Sequence, residues 1–152
     1  MPTFSRHASV KWQGSIMEGQ GELKAGTGAF AIPVSFPRRI GDAEGTTSPE
    51  ELIAAAHATC YAMVISGALG RANATTSRTT VTSTVTADKG DAGIKIVKSD
   101  LIVVVEGLTG MDAAAFDKMA KEAEGKCPVS NALRGSMAVS YTHLTLPTIL
   151  LV

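Results

Sequence analysis

From Leu52 to Leu69 nearly every residue is apolar or small, an uninterrupted run that constrains the fold more than any other feature of the chain. Its start is well marked. Ser48 is a favourable N-cap, Pro49 suits the first helical position, and Glu51 three residues after Ser48 completes a capping-box pattern. A helix that is apolar all round is buried all round, so the run predicts a central core helix. His57 inside it, its shortness and its alanine content argue against a membrane span, and no apolar run elsewhere is expected to cross a bilayer.

Ahead of this helix the sequence predicts β structure. Val10, Trp12 and Gly14 alternate with Lys11 and Gln13, and glycine-rich turns at Gly19, Gly21, Gly26 and Gly28 separate two further short strands ending near Phe36. Pro37 to Gly45 reads as a polar loop. Beyond the helix, Thr79–Ala87 is β-branched and alternating. Gly93–Glu106 is a long strand with Ile94, Ile96, Ile102 and Val104 prominent, and Lys89–Gly90–Asp91 turns between the two. Asp112 caps a second helix with Phe116, Met119, Ala120 and Ala123 at i, i+3, i+4 and i+7, and Gly125 ends it. Cys127–Pro128 opens a third helix through Leu133, and Met137, Val139 and Tyr141 suggest a last strand. The order β-β-β-α-β-β-α-α-β predicts an α+β fold in one domain, residues 1–141. Thr142–Val152 is an atypical, uncharged C-terminal tail, read as a non-native, frame-shifted end; extending the strand or packing on a partner are the alternatives.

Composition narrows the function classes. Fourteen basic residues balance fourteen acidic ones, so no surplus charge draws the chain to nucleic acid or anionic lipid. The two cysteines form neither a CxxC pair nor a disulfide framework, and with three scattered histidines no zinc spacing exists. Gly26–Thr27–Gly28 lacks the strand–helix context of a dinucleotide fingerprint and is a turn. The N-terminus has no signal-peptide core, and a cytoplasmic location, where thiols stay reduced until chemistry oxidises them, is the expectation.

Cys60 lies inside the apolar helix, where a free cysteine is more often an inert small hydrophobe than a nucleophile. Cys127 precedes a helix, a position that lowers a thiol's pKa and would make it a competent exchange partner for a sulfur within reach. His57, one helical turn before Cys60, fits a hydrogen-bonded core histidine better than a catalytic one.

The segment Thr47-Ser48-Pro49-Glu50-Glu51-Leu52-Ile53-Ala54-Ala55-Ala56-His57-Ala58-Thr59-Cys60 resembles the active-site helix of the OsmC/Ohr family of thiol-dependent peroxidases. Lys126-Cys127-Pro128-Val129-Ser130 is similar to that family's second cysteine motif, and Ala-His-Ala before the first cysteine looks more like the OsmC branch. The resemblance runs from about Val10 through Tyr141. It implies that Cys60 is the peroxidatic cysteine, oxidised to a sulfenic acid, and Cys127 the resolving cysteine that closes a disulfide. It matches Arg39 to the catalytic arginine and Glu50 to the family's glutamate. One extra residue between Arg39 and Pro49 leaves Arg38 as the alternative arginine.

The roles suit the residue types. A buried thiolate needs a cation, an arginine is always charged, and a glutamate paired with it in bidentate fashion fixes its orientation. Without the motif, Arg39 and Glu50 read as a solvated loop charge and a carboxylate favouring a helix N-terminus. Glu50 and Cys60 lie roughly 15 Å apart along one helix and on different faces. They share a site only if the arginine loop folds between them or another subunit supplies one of them. The resemblance implies an OsmC-like fold with antiparallel sheets packed around long central helices in an intertwined homodimer, its sites at the interface. It further implies reduction of organic hydroperoxides in an apolar pocket, with Phe36, Tyr61, Met63 and Phe116 as expected walls and weaker activity on hydrogen peroxide. No bound cofactor is expected; an external dithiol, typically a lipoyl group on a lipoylated protein, reopens the disulfide. The rival reading is a non-catalytic protein of the same fold that binds a small apolar ligand or senses oxidation.

Overall fold

The computed structural model describes residues 2–146. The chain divides into two units, residues 1–52 and residues 53–152, with the boundary inside the long helix.

In the first unit, β1 (Ala8–Gln13), β2 (Gln20–Ala25) and β3 (Ala31–Val34) form an antiparallel sheet in that order. Ala25 to Ala31 closes as a tight hairpin, in which Gly28 takes φ +78° and donates its N–H to Ala25 O at 2.9 Å. A side chain would be strained there, which is why this glycine pattern makes a turn. Pro37–Gly45 is not wholly a loop: Phe36–Ile40 forms a short helix, α1, stopped where Gly41 donates to Pro37 O at 3.1 Å. Five residues with two arginines and a proline carry no apolar period, so this element leaves no pattern to read. The long helix α2 (Pro49–Arg71) begins in this unit. Ser48 Oγ accepts from the Glu51 N–H at 3.2 Å, while the Glu51 carboxylate accepts from Thr47 Oγ1 at 2.7 Å. The capping box is therefore made on one side only.

In the second unit, β4 (Arg78–Gly90), β5 (Gly93–Glu106) and β6 (Ala138–Leu146) form the other sheet in that order. β4 and β5 pair antiparallel, but β6 runs parallel to β5, so this sheet is mixed where antiparallel pairing was expected. The chain returns through two helices, α3 (Ala113–Glu124) and α4 (Pro128–Arg134), a crossover of the kind that parallel neighbours require. β6 carries on past Tyr141 through Thr142–Leu146, the first part of the stretch expected to lie outside the domain; 147–152 lie outside the described residues. A bulge between Thr86 and Ala87 shifts the β4–β5 register. After it, Ser99, Leu101, Val103 and Val105 face inward and Ile102 turns out to solvent. Asp112 caps α3 by accepting from the Ala115 N–H at 2.7 Å.

The core of this unit gathers Tyr61, Ile65 and Leu69 of α2, the inward side of β5, Phe116, Ala120 and Ala123 of α3, and Cys127. The buried α2 positions His57, Tyr61, Ile65, Ala68 and Leu69 recur every three to four residues and form one stripe. The opposite face, Ala55, Ala56, Thr59, Met63, Ser66, Gly67 and Gly70, is exposed, so within one chain the helix is not buried all round. By length and composition α2 is also apolar enough to cross a membrane, contrary to the expectation from sequence. Here it serves as a core helix, anchored through its fully buried histidine.

Candidate active site

Two pairs of site residues emerge, one in each unit. In the second, Cys127 Sγ donates to Cys60 Sγ at 3.1 Å. Both cysteines are free thiols, Cys60 half-buried and Cys127 fully buried. The contact arises because Cys127 is the N-cap of α4. Pro128 follows in the first turn and the Ser130 N–H donates to Cys127 Sγ at 3.4 Å, which turns the sulfur towards α2. Burial pushes the Cys60 thiol above its ordinary pKa, and its hydrogen bond and charge interaction with Cys127 push it the same way. The Val129 backbone amide pulls it down. A thiol so placed is shielded and weakly ionised unless a cation offsets its charge.

In the first unit, both Glu50 carboxylate oxygens accept from Arg39: Nε donates to Oε1 at 3.2 Å and to Oε2 at 3.1 Å, and Nη2 to Oε1 at 2.5 Å. The side chains are 24% and 15% exposed, dry enough for the pairing to hold its geometry. Hydrogen bonding to Arg39 lowers the Glu50 pKa, and the same bond raises that of Arg39. Arg38 points elsewhere. Its guanidinium lies 2.7 Å from Glu44 Oε2 in an exposed pair. Of the two arginines, Arg39 is thus the one fixed by the helix glutamate. Beside it is an apolar pocket of about 280 Å³ lined by Val10, Trp12, Leu23, Phe36 and Leu52.

Of the expected pocket walls, only Phe36 lines this pocket. Tyr61 and Phe116 are fully buried in the core, with Tyr61 Oη donating to Ala120 O at 2.9 Å, and Met63 is 69% exposed. His57 is a hydrogen-bonded core residue, as its setting in the sequence suggested: Nδ1 lies 2.8 Å from Ser99 Oγ and Nε2 2.8 Å from Ser130 Oγ. Burial lowers its pKa, keeping the ring neutral. Ser99 and Ser130 escape a reading of the sequence. Their signals are faint: a lone serine in the inward register of β5, and a serine three residues after a capping cysteine. Among the described residues no group of three or more His, Cys, Asp or Glu side chains is placed to hold a metal ion.

A family model described as OsmC-like protein matches residues 41–142, which include both cysteines and Glu50. The chain belongs to the OsmC family. Peroxiredoxin OsmC of Escherichia coli (strain K12) is 36% identical over 140 residues, covering 91% of this chain and 96% of that protein. An organic hydroperoxide resistance protein of Xanthomonas axonopodis pv. citri (strain 306) is 32% identical over 127 residues, 81% of this chain and 85% of that protein. The OsmC fold is equally plain among solved structures. The organic hydroperoxide resistance protein OsmC of Legionella pneumophila superposes with a TM-score of 0.73 at 24% identity, covering 94% of this chain and 98% of that one. An OsmC-like protein of Vibrio cholerae O1 biovar eltor does so with a TM-score of 0.75 at 19% identity, over 93% and 100%.

Proposed function

We propose that this OsmC-family protein is a cysteine peroxidase that reduces organic hydroperoxides to alcohols. The observation that carries the reading is the 3.1 Å approach of Cys127 Sγ to Cys60 Sγ. Two reduced thiols at that separation need little movement to form a bond of about 2.05 Å.

The Cys60 thiolate attacks a peroxide oxygen. A sulfur–oxygen bond forms as the oxygen–oxygen bond breaks, and the departing alkoxide takes a proton to leave as the alcohol. Cys127 then attacks the sulfenic sulfur. The disulfide forms, the sulfur–oxygen bond breaks, and the hydroxyl leaves as water with the Cys127 proton. An external dithiol reopens the bond by two exchanges, and a lipoyl group on a lipoylated protein has the adjacent thiols this requires. The Arg39 guanidinium, held in bidentate fashion by Glu50, is the kind of cation that a peroxidatic thiolate and a developing alkoxide call for. The apolar pocket beside Arg39 suits an alkyl or fatty-acyl chain, which hydrogen peroxide lacks.

The active form in this reading is a homodimer. The exposed α2 face is built of small residues around Met63, which lets a second helix approach closely and hides an apolar surface that one chain leaves in water. A cycle that begins and ends with reduced thiols fits a cytoplasmic location. Hydroperoxide turnover supported by a dithiol, with Cys60→Ser as the comparison, tests the function.

A further inference from the structure

The cysteine pair rests on a polar cluster that the peroxidase chemistry leaves unused. His57 is fully buried, and its two ring nitrogens are each 2.8 Å from a serine hydroxyl, Ser99 on β5 and Ser130 on α4. Both serines are fully buried too, and Ser99 Oγ lies 3.3 Å from Ser83 Oγ on β4. Burying three polar side chains in an apolar core is costly unless every one is satisfied, so a cluster this complete holds one arrangement of its elements. With both nitrogens engaged by hydroxyls, the ring has none left to take a proton from a sulfur. Its influence on the thiols must be mechanical.

The connection is short. His57 stands one helical turn before Cys60 on α2. Ser130, gripped by His57 through its hydroxyl, donates its own backbone N–H to Cys127 Sγ. α4 has only seven residues, and the Asn131 N–H closes its first turn on Cys127 O at 3.0 Å. A movement of Ser130 therefore carries the Cys127 sulfur with it.

We propose that His57 and Ser130 are positioning residues for the disulfide: the ring, steadied on β5 by Ser99, pins α4 to α2 and holds the Cys127 sulfur against that of Cys60. Its bearing on turnover rests on the peroxidase reading, but the positioning itself is independent of any hydroperoxide. Preorganised sulfurs close their bond with a higher effective concentration than sulfurs on a loosely held helix. The bracket thus acts on disulfide closure.

The test is the thiol–disulfide equilibrium of the full chain with dithiothreitol. Oxidised dithiothreitol takes two electrons and two protons from Cys60 and Cys127 and is itself reduced, so no peroxide enters. Ser130→Ala, which removes the hydroxyl and keeps the backbone N–H, is expected to lower the equilibrium constant for disulfide formation about tenfold, while Ser130→Thr retains most of it. A merely structural role would lower the melting temperature of reduced and oxidised protein alike and leave the constant in place. An unchanged constant in folded Ser130→Ala, or an equal loss in Ser130→Thr, would overturn the proposal. Should Ser130→Ala fail to fold, Ser99→Ala, which frees the far side of the ring, takes its place with the same expected fall and the same contradiction. A chain that exchanges as expected but consumes no hydroperoxide leaves the bracket standing and defeats the peroxidase reading alone.

Discussion

Cys127 donates its thiol hydrogen to Cys60 across 3.1 Å, from the N-cap of α4 to the middle of α2. Cys127 lies 67 positions after Cys60 in the chain, and the packing of α2, β5, α3 and α4 brings the two sulfurs together. If Cys127 resolves the oxidised Cys60, Cys127→Ser uncouples the two halves of the cycle. The variant should consume one equivalent of hydroperoxide and stop at a sulfenic acid that dimedone traps. Dithiol-supported turnover should fall about tenfold or more, because an external thiol replaces one already in place. Intact-mass analysis checks the adduct.

The two arginines make a sharper contrast. Arg39 is fixed by both oxygens of Glu50, and Arg38 pairs with Glu44 at the surface. Arg39→Met should cost about a hundredfold in kcat/KM for tert-butyl hydroperoxide, the scale for losing a donor to developing charge. If Arg39 supplies the cation for the Cys60 thiolate, the pH profile of Cys60 alkylation should also move upward. Arg38→Met should leave both where they are. Steady-state rates and iodoacetamide kinetics across pH measure the two effects.

Acid should weaken the fold in two stages. His57 has its pKa lowered by burial, so the unfolded chain binds a proton that the folded chain refuses. The stability it contributes is full above the ordinary histidine value of 6.5 and drains as pH falls from there through the folded value. Glu50, lowered by its hydrogen bonds to Arg39, follows the same sign below the ordinary carboxyl value of 4.5. Thermal melts between pH 7.5 and pH 3.5 should therefore fall first near the histidine range, by about 2–4 °C for each kcal/mol lost. In His57→Asn the first stage should flatten while the second remains.

The outward face of α2 predicts the assembly. Met63 is 69% exposed among alanine, serine, threonine and glycine. Met63→Glu would place a carboxylate where a second helix is proposed to pack, and burying an unpaired charge is prohibitive. Sedimentation should show wild type as a dimer and Met63→Glu as a monomer at the same concentration. A dimer persisting in the variant would contradict this face as the interface.

Much of the fold was legible because its signals are local. Ser48 and Pro49 mark the start of α2, Asp112 caps α3, and the apolar alternation of Gly93–Glu106 coincides with β5 to the residue. The features that escaped depend on distant partners. β6 lies parallel to β5 because α3 and α4 carry the chain back across, and no residue in β6 records that direction. The bulge in the β4–β5 ladder reverses which residues of β5 face the core, turning Ile102 outward although it is among the most apolar in the strand. Cys60, Cys127, Arg39 and Glu50, the residues proposed to carry the chemistry, were each nameable from motifs. The bracket beneath the sulfurs was not, since Ser99 and Ser130 meet His57 from 42 and 73 residues away. Tyr61 shows the converse. An aromatic residue next to a candidate nucleophilic cysteine suggests a pocket wall, yet its side chain lies on the buried stripe of α2 and its hydroxyl is spent on Ala120.

The most direct test of the central claim is the consumption of tert-butyl hydroperoxide by the reduced protein with dithiothreitol as reductant, comparing wild type with Cys60→Ser. Multiple turnovers by wild type that vanish in Cys60→Ser are the predicted result. Folded, fully reduced wild type that consumes no hydroperoxide, or a Cys60→Ser variant that consumes it equally well, would contradict the account.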